Sequence, residues 1–248
     1  MVDVIDFKPG TTVLHRLNPV AKLALAAGII VATLLSSTYP MLLGLLALTC
    51  ALAAYAGVSH QIIGLLKIIA PLAVLMLVVQ LVLVRTGKPI FWTITDTGLI
   101  TGTKACLRLI GVALPLVLIL AVTKLTDLAN ACVEHLHIPY RYAFTFTTAL
   151  RFVPVFSREM DAIMEAQTAR GVAFDTKNPL RKLKLMLPLC IPLLITSVGK
   201  TDSTALAAEQ RGFYLRTRAS SYKRYPFMLI DYVALAASVL LLVLGAFF

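Results

Sequence analysis

The sequence predicts an all-α membrane protein with about five transmembrane helices and a cytoplasmic region of one short and two long helices. Composition is the first reason, since 59% of the 248 residues are hydrophobic and only 14% are charged, whereas an average soluble domain carries about 25% charged residues. Uncharged runs of membrane-spanning length are the second reason. The third is that Lys and Arg concentrate in one block, as they do on the cytoplasmic side of membrane proteins.

Five apolar runs predict the spans. Their ranges are 20–36, 40–58, 68–84, 109–123 and 232–248. A helix needs about 17–25 residues to cross roughly 30 Å of hydrocarbon. Because the runs 68–84 and 109–123 are at or below the shortest of these lengths, we expect Lys67 and Arg108, which precede them, to lie near helix ends and to extend toward the interface. The small residues of the first two spans, Gly28 and Gly44 among them, permit close packing or a smooth surface for a mobile partner, and both remain open.

Charge distribution predicts the domain organisation. Of the 23 Lys and Arg, 15 lie between Lys124 and Arg224 against 8 Asp and Glu, which gives 15 − 8 = +7. The positive-inside rule places this block in the cytoplasm. The predicted domains are an N-terminal membrane region with about four spans at 1–123, a cytoplasmic region at 124–227 and a C-terminal transmembrane helix at 228–248. Alternating polarity over 89–98 predicts a small β-hairpin on the outer side.

The predicted cytoplasmic region begins with one short and one long helical pattern. The short pattern starts at Thr126 and Asp127, which are typical capping residues, and Pro139 ends it. The long pattern covers 140–170, which is about 45 Å of helix at 1.5 Å per residue. A kink is expected at Pro154 within it.

A second long pattern runs from residue 179 or 180 to residue 211, and Pro188 and Pro192 loosen its first half. A polar turn at 171–178 joins the two long patterns. Both are apolar in their first halves and charged and alanine-rich in their second halves. We therefore expect the first halves to pack beneath the membrane spans and the far ends to project into the cytoplasm.

The two long patterns end in near-copies of one sequence, with an arginine just before a glycine. Glycine is common just past a helix C-terminus because it accepts a left-handed conformation. The arginine suits the negative end of the helix dipole, and its planar guanidinium can bind carboxylates of another protein. The dipole alone explains one such arginine, but two with matching flanks predict docking into two similar sites on partner proteins. The predicted docking residues are Ala169, Arg170, Gly171, Gln210, Arg211 and Gly212.

Neither a catalytic site, a metal site nor a cofactor is predicted. The triplet 199–201, Gly-Lys-Thr, resembles the end of a phosphate-binding loop, but that motif also requires a strand and a glycine where Leu194 stands. His135 and His137 are two residues apart, so a helix would point them to different faces. The four cysteines are far apart and mostly in apolar surroundings, which predicts buried free thiols.

Four further segments carry a family pattern in their order and spacing. They are Pro9 to Lys22, Leu150-Arg151-Phe152-Val153-Pro154 followed by Glu159, Ala166 to Gly171, and Glu209 to Phe213. Together they resemble the transmembrane (T) components of energy-coupling factor transporters, the vitamin and metal importers of prokaryotes. The resemblance covers nearly the whole chain. Gln210 departs from the pattern, which more often has alanine before the second arginine.

This resemblance implies a non-enzymatic subunit of an ATP-driven importer for vitamins or other micronutrients in the prokaryotic cell membrane. Two cytoplasmic ABC-type ATPase subunits would bind the tips of two long crossed coupling helices, and ATP would be hydrolysed in those subunits. One or more small membrane proteins, the S components, would capture the substrate. Arg170 and Arg211 match the arginines that enter grooves on the ATPases in this family.

Other functions have weaker support in the sequence. A self-contained secondary transporter is the alternative, and it needs charged or polar groups and broken helices at mid-membrane. The predicted spans offer only Gln80, Pro71 and Pro115, without a buried acid. An intramembrane enzyme needs paired catalytic groups at helical spacing, and no residues have that spacing. Nucleic-acid binding is not expected because acidic residues interrupt the basic block.

Overall fold

The computed structural model describes residues 9–84, 89–91, 94–174, 178–216 and 224–247. These residues are helical apart from one small hairpin and short connecting segments. They form two compact units. The first unit contains the described residues up to Leu136 and those from Arg224 onward, and the second contains the described residues between them.

The first unit holds most of the helices and the hairpin. In chain order it has α1 (Val13–Arg16), α2 (Pro19–Leu35), α3 (Tyr39–Tyr55), α4 (Ser59–Leu83), β1 (Pro89–Phe91), β2 (Ile94–Thr95), α5 (Asp96–Val122) and α6 (Leu125–His135). The second unit has α7 (Tyr140–Ala169), α8 (Pro179–Met186) and α9 (Cys190–Gln210). The chain then returns to the first unit with α10 (Leu229–Phe247). Strands β1 and β2 pair antiparallel and confirm the predicted hairpin, and Trp92 and Thr93 between them lie outside the described residues.

Helix α5 is central to the first unit. It packs along α4, α3 and α2, and α2 packs along α10. The buried core around α5 contains Leu114, Leu118 and Val122, which meet Val58 and Leu14 from the start of α4 and from α1. These contacts fix the short helix α1 against the apolar helices, because its leucine is part of the same core.

Small residues bring α2 and α10 close together. A Cβ added at Gly245 would lie 2.7 Å from Cα of Ala32, and one added at Gly28 would lie 2.9 Å from Cβ of Ser238. Both positions therefore require glycine for this approach of the two helices. Gly44 has nothing within 4 Å of an added Cβ. The sequence leaves open whether these glycines allow close packing or form a smooth surface. Gly28 serves close packing, whereas Gly44 faces open space.

Four helices among the described residues are long and apolar enough to cross a membrane. They are Ser59–Leu83, Asp96–Val122, Leu183–Gln210 and Leu229–Phe247. Helices α2 and α3 are shorter apolar helices of 17 residues each. The segment Leu183–Gln210 falls within the block that the charge pattern predicts to be cytoplasmic. Its length and hydropathy indicate a membrane span, whereas the charges around it indicate a cytoplasmic position.

The expectation that Lys67 and Arg108 lie near helix ends is wrong. Helices α4 and α5 begin well before these residues and contain them. Nη2 of Arg108 donates a hydrogen bond of 2.6 Å to the carbonyl of Ser36, the residue that caps the C-terminus of α2. Nη2 thus contacts the negative end of another helix, whereas Nε of Arg108 is buried without a partner among the described residues.

The second unit follows the predicted patterns. Helix α7 ends at Ala169 and runs through Pro154 without interruption. A 3-10 turn at Leu187–Leu189, which contains Pro188, separates α8 from α9. A proline removes one backbone donor, so a break of regular α-helix there is the expected result. Residues 175–177 of the predicted polar turn lie outside the described residues.

The caps predicted for the short helix are wrong by two to three residues, since its N-cap is Lys124. Helix α6 begins at Leu125, so Thr126 and Asp127 lie inside its first turn and do not cap it. An acidic residue there still suits the positive end of the helix dipole. The helix ends at His135, and Pro139 is the N-cap of α7.

Candidate functional site

The first tip, residues 169–171, ends α7 with two capping hydrogen bonds. Gly171 has φ +89°, in the left-handed region that residues with a Cβ rarely adopt. Its N–H donates to the carbonyl of Thr168 at 2.9 Å, and the N–H of Val172 donates to the carbonyl of Gln167 at 3.1 Å. This pair of bonds is a Schellman motif, which satisfies the last carbonyls and ends the helix.

The second tip, residues 210–212, ends α9 in a related way. Gly212 has φ +72°, and its N–H donates to the carbonyl of Glu209 at 2.9 Å. A 3-10 turn at Phe213–Leu215 follows, in which the N–H of Leu215 donates to the carbonyl of Gly212 at 2.9 Å. The predicted left-handed glycines are therefore confirmed at both tips.

Arg170 and Arg211 are the C-cap residues of α7 and α9, and both are exposed. Within the described part of the chain, neither guanidinium has a hydrogen bond or an ion pair with another side chain. Each keeps its planar set of donors for an external acceptor such as a carboxylate.

Aromatic residues support the second tip. The ring of Phe213 lies 4.9 Å from that of Phe144 and 5.6 Å from that of Tyr140, measured between centroids. The guanidinium of Arg216 lies 3.9 Å above the Tyr140 ring, and its Nη1 donates to the Tyr140 hydroxyl at 2.6 Å. The chain that leaves the second tip is therefore held against the first turns of α7.

The concave surfaces beside the two tips carry opposite charge. An open cavity of about 740 Å³ beside the second tip is lined by Arg151, Arg211 and Arg216 together with aromatic rings. An open cavity of about 860 Å³ beside the first tip is lined by Asp161 and Glu165 together with apolar side chains. The two matching helix ends thus present different surroundings to a partner.

An ion pair joins α7 to α9 at a point between the two tips. It forms between Lys200 and Glu159. Phe144, which supports the second tip, is 25 residues before Ala169 on α7, and that corresponds to about 38 Å along a helix. The two tips therefore lie at distant points of the second unit. Because Lys200 is inside α9 and paired, the structure supports no phosphate-binding loop at this triplet.

A buried acid at the start of α10 corrects the expectation that the membrane region has none. Asp231 is 2% exposed, and its carboxylate accepts hydrogen bonds of 2.7 Å from the N–H of Asn18 and from the N–H of Met228. The second bond runs back to the residue before the helix, as in half of a capping box. The acid lies at a helix end and is fully engaged, so it does not resemble the mid-membrane acid of a secondary transporter.

Tyr225 links Asn18, which binds Asp231, to two side chains of α6. Its carbonyl accepts hydrogen bonds from Nδ2 of Asn18 at 2.8 Å and from Nε2 of His135 at 2.7 Å. Its hydroxyl donates to Asp127 at 2.9 Å. Burial first, and then this hydrogen bond, raise the pKa of the Tyr225 phenol. His135 is therefore part of a structural cluster that no pattern in the sequence indicated, because its members are up to 213 residues apart.

The four cysteines are free, as predicted, but none is fully buried. Cys190 is exposed because it begins the exposed first half of α9, whereas Cys50, Cys106 and Cys132 are partly buried. Burial raises the pKa of the Cys132 thiol. Across the described residues, no three His, Cys, Asp or Glu side chains are grouped as metal ligands.

Comparisons with known proteins agree with these features. The family described as CbiQ, cobalt transport protein, matches residues 10–222. A protein of Acidaminococcus fermentans is 33% identical over 224 residues, which cover 83% of this chain and 81% of that protein. One of Lacticaseibacillus paracasei is 32% identical, covering 91% and 90%, and one of Thermotoga maritima is 31% identical, covering 97% and 92%.

All three relatives are described as the energy-coupling factor transporter transmembrane protein EcfT. The family match covers the helices from α1 to α9 and both arginine–glycine ends. The chain therefore belongs to the CbiQ/EcfT family and is the non-catalytic, multi-pass transmembrane component of an energy-coupling factor transporter in the prokaryotic cell membrane.

Proposed function

We propose that this chain links two cytoplasmic ABC-type ATPase subunits to a substrate-binding S component in an importer for vitamins or other micronutrients, and that one ATPase docks on each tip. The observation that supports this proposal is the repeated geometry of two long helices that each end in an exposed arginine and a left-handed glycine. An exposed guanidinium can bind a carboxylate through two parallel hydrogen bonds. Two such ends suit two related grooves on a pair of ATPases.

The proposed topology has five spans, α2, α3, α4, α5 and α10, and a cytoplasmic coupling region at 124–227. Leu183–Gln210 would be a sixth span by length and hydropathy. However, only the 15 residues between Lys184 and Lys200 are uncharged. They correspond to about 22 Å of helix, which is shorter than roughly 30 Å of hydrocarbon. A crossing of about 20 residues would also have to include charged side chains at its ends, such as Lys184 and Lys200.

The first half of α9 and the 3-10 turn before it carry an apolar face that supports contact with the S component. Its members are 58–71% exposed and recur every three or four residues, namely Leu187, Ile191, Leu194, Ile195 and Val198, with Leu183 of α8 in the same series. An exposed apolar face at helical spacing packs against lipid or against another apolar protein. A small, very hydrophobic membrane protein fits a face that is apolar but too short to span the bilayer.

Charge reversal at each tip tests the docking role. We expect Arg170→Glu and Arg211→Glu each to weaken ATPase association by about 2–5 kcal/mol, because each would place a negative charge in a groove that binds a cation. Each variant would be co-expressed with its partner subunits and purified from membranes through a tag on this chain. The measured quantity is the number of ATPase subunits retained per chain.

Arg158→Glu is the matched control, because Arg158 is also exposed on α7 but lies away from the tip. It should retain both ATPase subunits. Full occupancy of ATPase subunits in both tip variants would overturn the proposal.

A further inference from the structure

A polar cavity of about 290 Å³ lies in the first unit where α2 begins and α5 ends. Its wall includes His15, Arg16, Lys22 and Lys124, and Asp127 is the acid among its lining residues. The Asp127 carboxylate already accepts a hydrogen bond from the Tyr225 hydroxyl. Among the described lining residues, the cations Arg16, Lys22 and Lys124 outnumber the one acid, which favours an anion over a cation as the occupant of the cavity.

Lys22 is the buried charge of this cavity. It is only 6% exposed, and its Nζ donates to the carbonyls of His15 at 2.9 Å and Val122 at 3.3 Å. An ammonium has three donors, so one N–H has no acceptor among the described residues. No carboxylate in the described part of the chain lies within ion-pair distance of it. Asp127 and Asp231 act on this ammonium only from beyond ion-pair distance. Because its hydrogen bonds go to neutral carbonyls, it gains from an anion that takes its third donor.

Thr123 supplies a second unsatisfied group on the same wall. It is 5% exposed, and its hydroxyl has no hydrogen-bond partner in the described part of the chain. Buried hydroxyls without partners are uncommon and mark a missing acceptor or donor. Lys22 and Thr123 thus offer donors from two different helix ends to one cavity.

An apolar cleft adjoins the polar cavity. Leu17, Lys22 and Val122 line both, and the rest of the cleft is formed by aliphatic side chains of α1, α2 and α5. The cleft is narrow, about 20 Å³, and cannot hold a whole acyl chain. It nevertheless gives the cavity a polar end and an apolar end, with the buried ammonium where they meet. This polarity matches an amphiphile at a membrane surface better than a free ion.

We propose that this cavity binds the phosphodiester of an anionic glycerophospholipid. The phosphate accepts the third N–H of Lys22, Arg16 and Lys124 contribute charge at the rim, and the glycerol backbone faces the apolar cleft. The lipid would fasten α1 to the ends of α2 and α5. This site is independent of the two tips, so failure of ATPase docking would leave it standing.

Native mass spectrometry of the full chain tests this proposal. The chain would be purified in neutral detergent, depleted of lipid and titrated with phosphatidylglycerol. We expect one molecule to bind with saturation, and Lys22→Gln to weaken that binding about tenfold or more. Lys67→Gln is the control, because it removes one exposed lysine of α4 outside the cavity and should leave binding unchanged.

A second variant keeps the test decisive if Lys22→Gln fails to fold. Lys124 is exposed at the rim, so Lys124→Gln should disturb folding less than Lys22→Gln and weaken phosphatidylglycerol binding about threefold. Inorganic phosphate and glycerophosphoglycerol are the soluble probes, and each should bind at least tenfold more weakly than the lipid. Equal binding of the soluble probes would overturn the lipid assignment. Equal lipid binding by every folded variant, or binding without saturation, would overturn the site itself.

Discussion

The two tips have nearly the same sequence but stand in different surroundings. Both end a long helix with arginine and a left-handed glycine. The first tip closes with a complete Schellman motif whose hydrogen bonds are all local. The second is additionally held by the aromatic contacts of Phe213 with Phe144 and Tyr140. The comparison teaches that a short motif sets the direction of a chain end, whereas residues far away in sequence determine how firmly that end is held.

Charge separates the tips further. Asp161 and Glu165 lie beside the first tip, and Arg151 and Arg216 lie beside the second. A partner groove at the second tip therefore meets a concentrated positive surface, whereas a groove at the first tip meets one arginine among acids. Substitutions at the two tips should reveal both differences: the aromatic contacts that hold the second tip, and the opposite charges of the residues beside the two tips.

Phe213→Ala should have the largest effect and should affect the second tip alone. The change removes a half-buried ring and its aromatic contacts, which we expect to cost about 1.5–3 kcal/mol of local stability. Hydrogen exchange should become faster in the amides of residues 210–216 and stay unchanged around the first tip. Phe174→Ala, which removes the ring three residues after Gly171 and beside the first tip, is the control and should change exchange much less. Equal effects of the two variants would break the comparison.

Gly171→Ala and Gly212→Ala should destabilise the two tips to a similar extent. Each forces a residue with a Cβ into positive φ, at a cost of about 1–2 kcal/mol. Steric crowding adds nothing, since an added Cβ would meet nothing within 4 Å at Gly171 and would lie 3.8 Å from Leu215 at Gly212.

Gly→Asn at the same positions should recover part of this loss, because Asn tolerates the left-handed region. Retention of ATPase subunits on the purified chain is the readout. A loss after Gly→Asn as large as after Gly→Ala would show that the glycines act by size and not by conformation.

Docking at the second tip should be more sensitive to salt. Arg170→Gln removes the arginine of the first tip, so the ATPase docking that remains is mainly at the second tip. Arg211→Gln does the reverse. Because screening shortens from about 10 Å at 0.1 M to about 3 Å at 1 M ionic strength, the contribution of Arg151 and Arg216 should fade as salt rises. We expect affinity in the Arg170→Gln variant to fall about threefold more across this range. Parallel salt curves would contradict the charge difference.

Tyr140→Phe should have the smallest effect. It removes the hydroxyl that accepts from Arg216 but keeps the ring beneath the guanidinium. Since the bond is exposed, we expect a cost of about 0.5 kcal/mol in the stability of the second tip. Thermal unfolding of the purified chain should shift by little, whereas Tyr140→Ala should shift it clearly because the ring is lost as well.

Local patterns predicted the parts of the structure that local forces determine. The bounds of α7, the left-handed conformations of Gly171 and Gly212 and the loosened helix at Pro188 all depend on neighbours within one or two helical turns. The hairpin before α5 was predictable from alternation for the same reason.

Features that depend on distant residues could not be predicted. Asp231 looks like an interfacial acid before an apolar run, and only the fold brings the N–H of Asn18 to it. Arg108 looks like the end of a span until Ser36 supplies its acceptor. The aromatic support of the second tip joins residues more than 60 positions apart. A single sequence shows the residue types in these cases but not their pairing.

Photocrosslinking in native membranes tests the central claim most directly. A photoreactive residue placed at Ala169 or at Gln210 samples the immediate neighbour of each tip, and one placed at Arg158 samples exposed α7 elsewhere. Docking of one ATPase per tip predicts covalent adducts with ATPase subunits from both tip positions and little from Arg158. Absence of ATPase adducts from both tips, or equal yields from all three positions, would contradict it.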